Sequence, residues 1–176
     1  MKNSIQKLSR YLIVILLIGV AGCSSDDGTT SMSTMEKLIG TWTTSDVNVD
    51  ATIDGQSVTD YLVDVGGLTP AEAAAQYAIF QALLESEVTG SLTLNSDNTY
   101  VSSFGGGSDS GTWSLSSDGK TLTLFEGTDT IVITVQSVTA NLLNVSLGDD
   151  ILEDIDNDAG TPDVLISVLA DVTLVK

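Results

Sequence analysis

From Ser91 to the end of the chain, apolar and polar residues alternate in short runs cut by Gly, Asn, Asp and Ser. Successive side chains of a strand point to opposite faces, so sustained alternation of this kind is the pattern of half-buried strands. Leu92 and Leu94 alternate with Ser91 and Thr93; Ser96-Asp97-Asn98 supplies a turn, and Tyr100 and Phe104 continue on the return strand. Beyond Gly105-Gly106-Gly107, Trp113 and Leu115 lead through Asp118-Gly119 to Leu122 and Leu124, a hairpin with a favourable Asp-Gly turn. The pattern predicts further strands over 131–138, 142–147 and 164–175. Short connections make neighbours in sequence neighbours in space, and a meander of about eight strands removes its unpaired edges by closing. The expected fold class is therefore all-β, an antiparallel up-and-down β-barrel of about eight strands.

A helical insertion between the first and second strands interrupts this pattern. Thr69-Pro70-Ala71-Glu72 combines an N-cap threonine, proline at the first helical position and a glutamate three residues on, which is a capping box. Ala73, Tyr77, Phe80, Leu84 and Val88 then follow helical spacing on one face, and Gly90 supplies the stop. Ser57-Val58-Thr59-Asp60 opens a weaker helix with Val58, Tyr61, Leu62 and Val65 on one stripe and Gly66-Gly67 as the turn; a short strand is the alternative there. The first strand carries a conflict of parity, because Trp42 is even-numbered while Val47, Val49, Ala51 and Ile53 are odd-numbered. Side chains of a regular strand alternate without exception, so a bulge or break is expected around Ser45-Asp46.

The first 22 residues have a different character. Lys2, Lys7 and Arg10 precede an apolar run from Tyr11 to Val20, the layout of a secretory signal, and about ten apolar residues are too few for a permanent bilayer span. The run ends in Val20-Ala21-Gly22-Cys23, which resembles the lipobox of bacterial lipoproteins. That resemblance implies cleavage after residue 22 and acylation of Cys23, the one cysteine of the chain, giving a membrane partner through a lipid anchor. Ser24 stands where aspartate would resemble an inner-membrane retention signal, so the outer membrane is the implied address. Ser24-Ser25-Asp26-Asp27 resembles the acidic export tag of some surface lipoproteins, which points to the cell surface. The expected organisation is a signal over 1–22, the lipidated cysteine and a flexible tether over 23–35, and one domain over 36–176.

Leu38-Ile39-Gly40-Thr41-Trp42 resembles the Gly-x-Trp signature that opens the first strand of lipocalins and of lipocalin-like domains in bacterial lipoproteins. Ser110-Gly111-Thr112-Trp113-Ser114-Leu115, with the Ser-Asp-Gly-Lys turn and Leu122-Thr123-Leu124, resembles the mid-barrel hairpin of those domains. Gly40, Trp42 and Trp113 are thus the barrel-signature residues. A helical pair after the first strand is similar to the mouth cap of fatty-acid-binding proteins in the calycin group. The resemblance implies a small apolar ligand near Tyr77, Phe80 and Trp113. It departs from the family at one point: lipocalins stack a late-strand arginine over the signature tryptophan, and the chain after residue 22 has no arginine. Lys176 is the late cation available.

Charge narrows the chemistry. Beyond residue 22 the chain holds three lysines, Lys37, Lys120 and Lys176, against 24 acids, a formal charge of −21. Surfaces that bind phosphate or nucleic acid need clustered cations, so no nucleic-acid partner is expected. With no histidine and one cysteine committed to lipid, Ser-His or Cys-His catalysis and His/Cys zinc sites are excluded. A carboxylate pair is the remaining catalytic option, and no spacing singles one out; a non-enzymatic module with no required cofactor is expected. The segment 149–163 packs seven acids into fifteen residues, with Asp154, Asp156 and Asp158 alternating like early calcium-loop ligands and Asp163 beyond them. Ala159 stands where glycine belongs and Leu165 where a bidentate glutamate closes an EF-hand. Two readings stay open for this segment, a solvated acidic loop and a calcium site. Two also stay open for the domain: a binding module for a small apolar ligand, or a structural or adhesive surface module with a filled barrel.

Overall fold

A computed structural model of the protein describes residues 32–153 and 163–176. The elements are α1 (Thr34–Leu38), β1 (Gly40–Ile53), β2 (Gln56–Ser57), α2 (Val58–Asp64), α3 (Pro70–Val88), β3 (Ser91–Leu94), β4 (Thr99–Ser102), β5 (Asp109–Leu115), β6 (Thr121–Glu126), β7 (Asp129–Val138), β8 (Leu142–Glu153) and β9 (Val164–Val175). Each strand from β3 onward pairs antiparallel with the next, and β9 returns to pair with β1, so eight strands close into an up-and-down barrel. The two-residue β2 is added to the far end of β1 through an Asp54-Gly55 turn, both residues at positive φ. Asp-Gly favours that conformation because aspartate tolerates and glycine prefers the left-handed region.

Alternation delivers the interior as expected. Trp42, Leu92, Leu94, Tyr100, Trp113, Leu122, Leu124, Ile133, Leu143, Val145, Val172 and Leu174 form one continuous buried cluster. The parity conflict of β1 is resolved where it was expected: against β9, Thr44 pairs with Leu174 and Asp46 with Thr173, leaving Ser45 as the extra residue of a bulge. Trp42 on one side of the bulge and Val49, Ala51 and Ile53 on the other can therefore all face inward.

The strands are unequal in length, and that inequality positions the rest. β1, β8 and β9 run for 14, 12 and 12 residues, whereas β3 and β4 run for four. The long strands stand above the short ones as a wall. β3 pairs only with Gly40–Thr43 of β1, so the upper part of that edge of β1 is left over. Helix α3 lies along it: Gln81 Nε2 donates to the Val49 carbonyl at 2.9 Å, and the Ala51 N–H donates to Tyr77 Oη at 3.2 Å. Residues four apart share a helix face, so Tyr77 and Gln81 reach two successive free groups of the strand.

The helix starts and faces as its sequence predicts. Thr69 Oγ1 accepts from the Glu72 N–H, and the Glu72 carboxylate accepts from the Thr69 N–H at 3.0 Å and from its hydroxyl at 2.7 Å. Those bonds from Thr69 hold the Glu72 pKa below the usual glutamate range. Ala73 is buried, and Tyr77, Phe80, Leu84 and Val88 are half-buried on the same face. The helix ends at Val88, two residues before the expected glycine, with Thr89 as an extended C-cap. Gly90 serves another purpose, since a Cβ there would collide with the Ser103 carbonyl oxygen. We expect Thr69→Ala to lower stability by about 0.5–2 kcal/mol, measured by urea denaturation; an unchanged midpoint would show that tertiary packing alone holds this helix.

Three details differ from the sequence reading. A short helix, α1, starts within the stretch read as tether, because Ser33 and Glu36 form a second capping box. Residues 57–65 are mainly helical, as α2, but Val65 is its C-cap and 65% exposed, outside the buried stripe of Val58, Tyr61 and Leu62. The acidic segment is not a loop from 149 onward: residues 149–153 extend β8 and pair with 164–168 of β9. Among the described residues no helix is long and apolar enough to cross a membrane.

Candidate functional site

The two ends of the barrel are built differently. At the lower end α1 lies across the opening and buries Leu38 completely. Trp42 is also fully buried, and its Nε1 donates to the Leu38 carbonyl at 2.7 Å, so the indole has its polar group satisfied inside the core. Lys176 covers the same ring with Nζ 4.4 Å from the ring centroid. Its ammonium donates to the carbonyls of Lys37 at 2.6 Å and Ile39 at 2.7 Å, the last groups around the end of α1. Burial pulls the Lys176 pKa down, while the two carbonyl oxygens and the indole face favour its charged form. Gly40 makes room for this side chain: a Cβ at 40 would meet Lys176 Cε at 3.0 Å, and the residue holds φ +132°. The lysine thus occupies the place over the tryptophan that the resemblance reserves for an arginine.

The upper end is covered by α2 and α3. Ala51, Ile53 and Val58 form a second buried cluster, with Tyr61, Leu62, Tyr77, Phe80, Val164, Ile166 and Val168 packed against it. A cleft of about 220 Å³ remains there, lined by Ile53, Val58, Leu62, Gln76, Tyr77, Phe80 and Ile166. Tyr77 and Phe80 stack with ring centroids 6.5 Å apart. Tyr77 Oη donates to Asp50 Oδ1 at 3.2 Å while accepting from Ala51, and burial raises its pKa above the usual phenol value. Gln76 is the polar residue of the lining, so the cleft offers an apolar ligand mainly contact area and one amide.

Of the three residues expected near a ligand, the structure brings Tyr77 and Phe80 together in this cleft and places Trp113 elsewhere. Trp113 is buried in the main cluster with Nε1 donating to the Asn95 carbonyl at 3.1 Å. Ile53 and Ile166 were not foreseen as lining, because they come together only through the pairing of β1 with β9, and Leu62 joins them from α2. Within the barrel proper, Trp42, Tyr100, Trp113 and the leucines take up the space. Tyr100 is 1% exposed, and its hydroxyl has no hydrogen-bond partner among the described residues. Its ring lies over Gly111, where a Cβ would meet Tyr100 Cε1 at 3.0 Å.

Of the acidic residues considered for calcium, Asp154, Asp156 and Asp158 lie outside the described residues, as does Cys23; Asp163 is exposed just before β9. Among the described residues no three carboxylates converge as a metal site would require. Asp149 has a distinct environment: it sits on β8 opposite Val168, half-buried, and burial raises its pKa above the usual aspartate value. A raised carboxyl pKa means that folding opposes the charged form, so the destabilisation is fully present above the folded pKa and fades as pH falls toward the ordinary value. We therefore expect Asp149→Asn to raise the melting temperature at pH 7, with the advantage shrinking toward about pH 4. Equal margins at both pH values would show that the charge is not the cause.

The chain matches no protein-family model and no curated protein. Among solved structures, it is similar to a protein of the DUF4847 family from Bacteroides vulgatus ATCC 8482, with 13% identity over 76% of this chain and 94% of that one and a TM-score of 0.36.

Proposed function

We propose that this chain is a membrane-anchored, non-enzymatic lipoprotein whose calycin-like, lipocalin-type barrel binds a small apolar ligand. The observation that carries the ligand is the cleft between Ile53, Leu62, Tyr77, Phe80 and Ile166, apolar on nearly every side and set beneath the helical cap. At about 220 Å³ it lies between the ~150 Å³ cavity that admits benzene and the ~300 Å³ at which drug-sized sites begin. Its ligand is accordingly a single ring or a short acyl segment. The stacking of Lys176 on Trp42 beside Gly40 supports the lipocalin comparison, a lysine serving where arginine is absent. The lipobox at 20–23 supports the anchor, Ser24 the outer membrane, and the acidic residues after it the cell surface. No cofactor and no nucleic acid enter this reading, which rests there on the lack of histidine and of clustered cations.

A filled barrel favours the second reading, a structural or adhesive surface module, because Trp42, Tyr100 and Trp113 occupy the volume that a larger ligand would need. Calcium at Asp154, Asp156, Asp158 and Asp163 would belong to that reading. One titration separates them. With N-phenyl-1-naphthylamine, a neutral apolar fluorophore, the mature chain should show saturable enhancement that Leu62→Trp abolishes by filling the cleft. Enhancement that is absent, or unchanged in the filled variant, would leave the structural module as the better reading.

A further inference from the structure

Two seams of the barrel are closed only in part: β3 covers Gly40–Thr43 of β1, with α3 finishing that edge, and β7 and β8 pair over no more than half of their length. Pairing there covers Thr134–Val138 against Leu143–Ser146 and shifts register at Gln136, whose Nε2 donates to Ser146 Oγ at 2.9 Å. Ser146 in turn donates to Asp171 on β9, so the end of the pairing is tied down on both sides. Beyond it no backbone pairing of β7 with β8 continues among the described residues. Residues 129–133 of β7 bond to β6 on their other side, residues 147–153 of β8 bond to β9, and among the described residues neither has a backbone partner across the seam.

The surfaces beside this opening agree with an unfilled place in the sheet. Ile131, which pairs with the buried Leu124, is itself 37% exposed, and Val132 and Leu152 are 54% and 67% exposed. The charges near the opening are Glu126 and Asp129 at the β6–β7 turn and Asp149 and Asp150 on β8, and the chain's three lysines beyond residue 22 lie on other elements.

We propose that this seam is a docking site for a cationic extended segment of another protein, which adds a strand to the free edge of β8. Main-chain bonds to residues 147–153 would supply affinity independent of sequence, exposed Ile131, Val132 and Leu152 would favour alternate apolar side chains, and the four acids would select lysine or arginine between them. A second copy of this chain is the poorer occupant. It would set Asp149 and Asp150 against another acidic edge on a body of formal charge −21. The site is separate from the helical cleft and does not depend on it.

Hydrogen exchange of the mature chain, read for the alternate amides of 147–153 that point away from β9, tests this with the peptide Val-Lys-Val-Lys-Val-Lys-Val as probe. In the free protein these amides should exchange at least about tenfold faster than their β9 partners. The peptide should slow them, an analogue N-methylated at alternate residues should not, and the glutamate analogue should not. Raising salt from about 0.05 to 0.5 M should weaken the effect roughly tenfold. Asp150→Lys, at an exposed position, should reduce protection by the lysine peptide without altering exchange in β3–β6. Amides already protected in the free chain, equal protection by the N-methylated or glutamate peptide, or self-association through this edge with no peptide binding would each overturn the proposal.

Discussion

Trp42→Ala should lower the unfolding free energy by about 3–5 kcal/mol, the range for removing a large buried aromatic side chain, and urea denaturation followed by Tyr fluorescence or circular dichroism would measure it. The ring is fully buried, and its loss removes more than area. It strands the Leu38 carbonyl, which accepts from the indole, and it takes away the face on which Lys176 rests. Lys176→Met separates these contributions, since it keeps an apolar stem over the ring but leaves the carbonyls of Lys37 and Ile39 without their donor. The double variant should cost less than the two single changes added together, because each partner is part of what the other stabilises. Strict additivity would mean that Trp42 and Lys176 act as independent core residues and that the clasp has no energy of its own.

Cys23→Ser should abolish palmitate labelling of the chain and release it from the membrane fraction as soluble or unprocessed protein. The chain has no second thiol to accept a diacylglyceryl group, and a serine hydroxyl is not a substitute for the thioether. Several acyl chains, each burying methylenes at roughly 0.8 kcal/mol apiece, make the difference between wild type and variant close to all or none. Labelling that persists in the variant would remove the anchor from the proposed function and with it the outer-membrane address.

The features legible in the sequence share one property: each is decided by a few adjacent residues. The capping box at Thr69–Glu72, the parity change between Trp42 and Val47, and the Asp118-Gly119 hairpin are of this kind, and each was found in place. A capping box was also present at Ser33–Glu36 but lay in a polar run resembling a tether, so α1 was missed. The length of β8 was hidden because Asp149 and Asp150 look like loop residues until β9 is seen to pair with them. The cleft was half legible. Tyr77 and Phe80 lie on one helical face, whereas Ile53 and Ile166 are 113 positions apart and meet only through strand register, which alternation alone does not set. Nor could it show that Tyr77 and Gln81 would finish the hydrogen bonding of β1, since that need arises only because β3 stops short.

The clasp of Lys176 on α1 also sets which way the molecule faces. Residue 33 begins α1 at the closed end of the barrel, and the cleft lies near Ile53 at the other end of β1, a strand of 14 residues, or roughly 45 Å of contour at about 3.3 Å per residue and roughly 35 Å along the axis at the usual strand tilt. Nine residues separate Cys23 from Ser33 and reach at most about 35 Å fully extended. A chain held by Cys23 would carry its base nearer the anchor than its helical cap in every state short of a fully extended tether, which favours a cleft that samples molecules arriving from the surrounding medium.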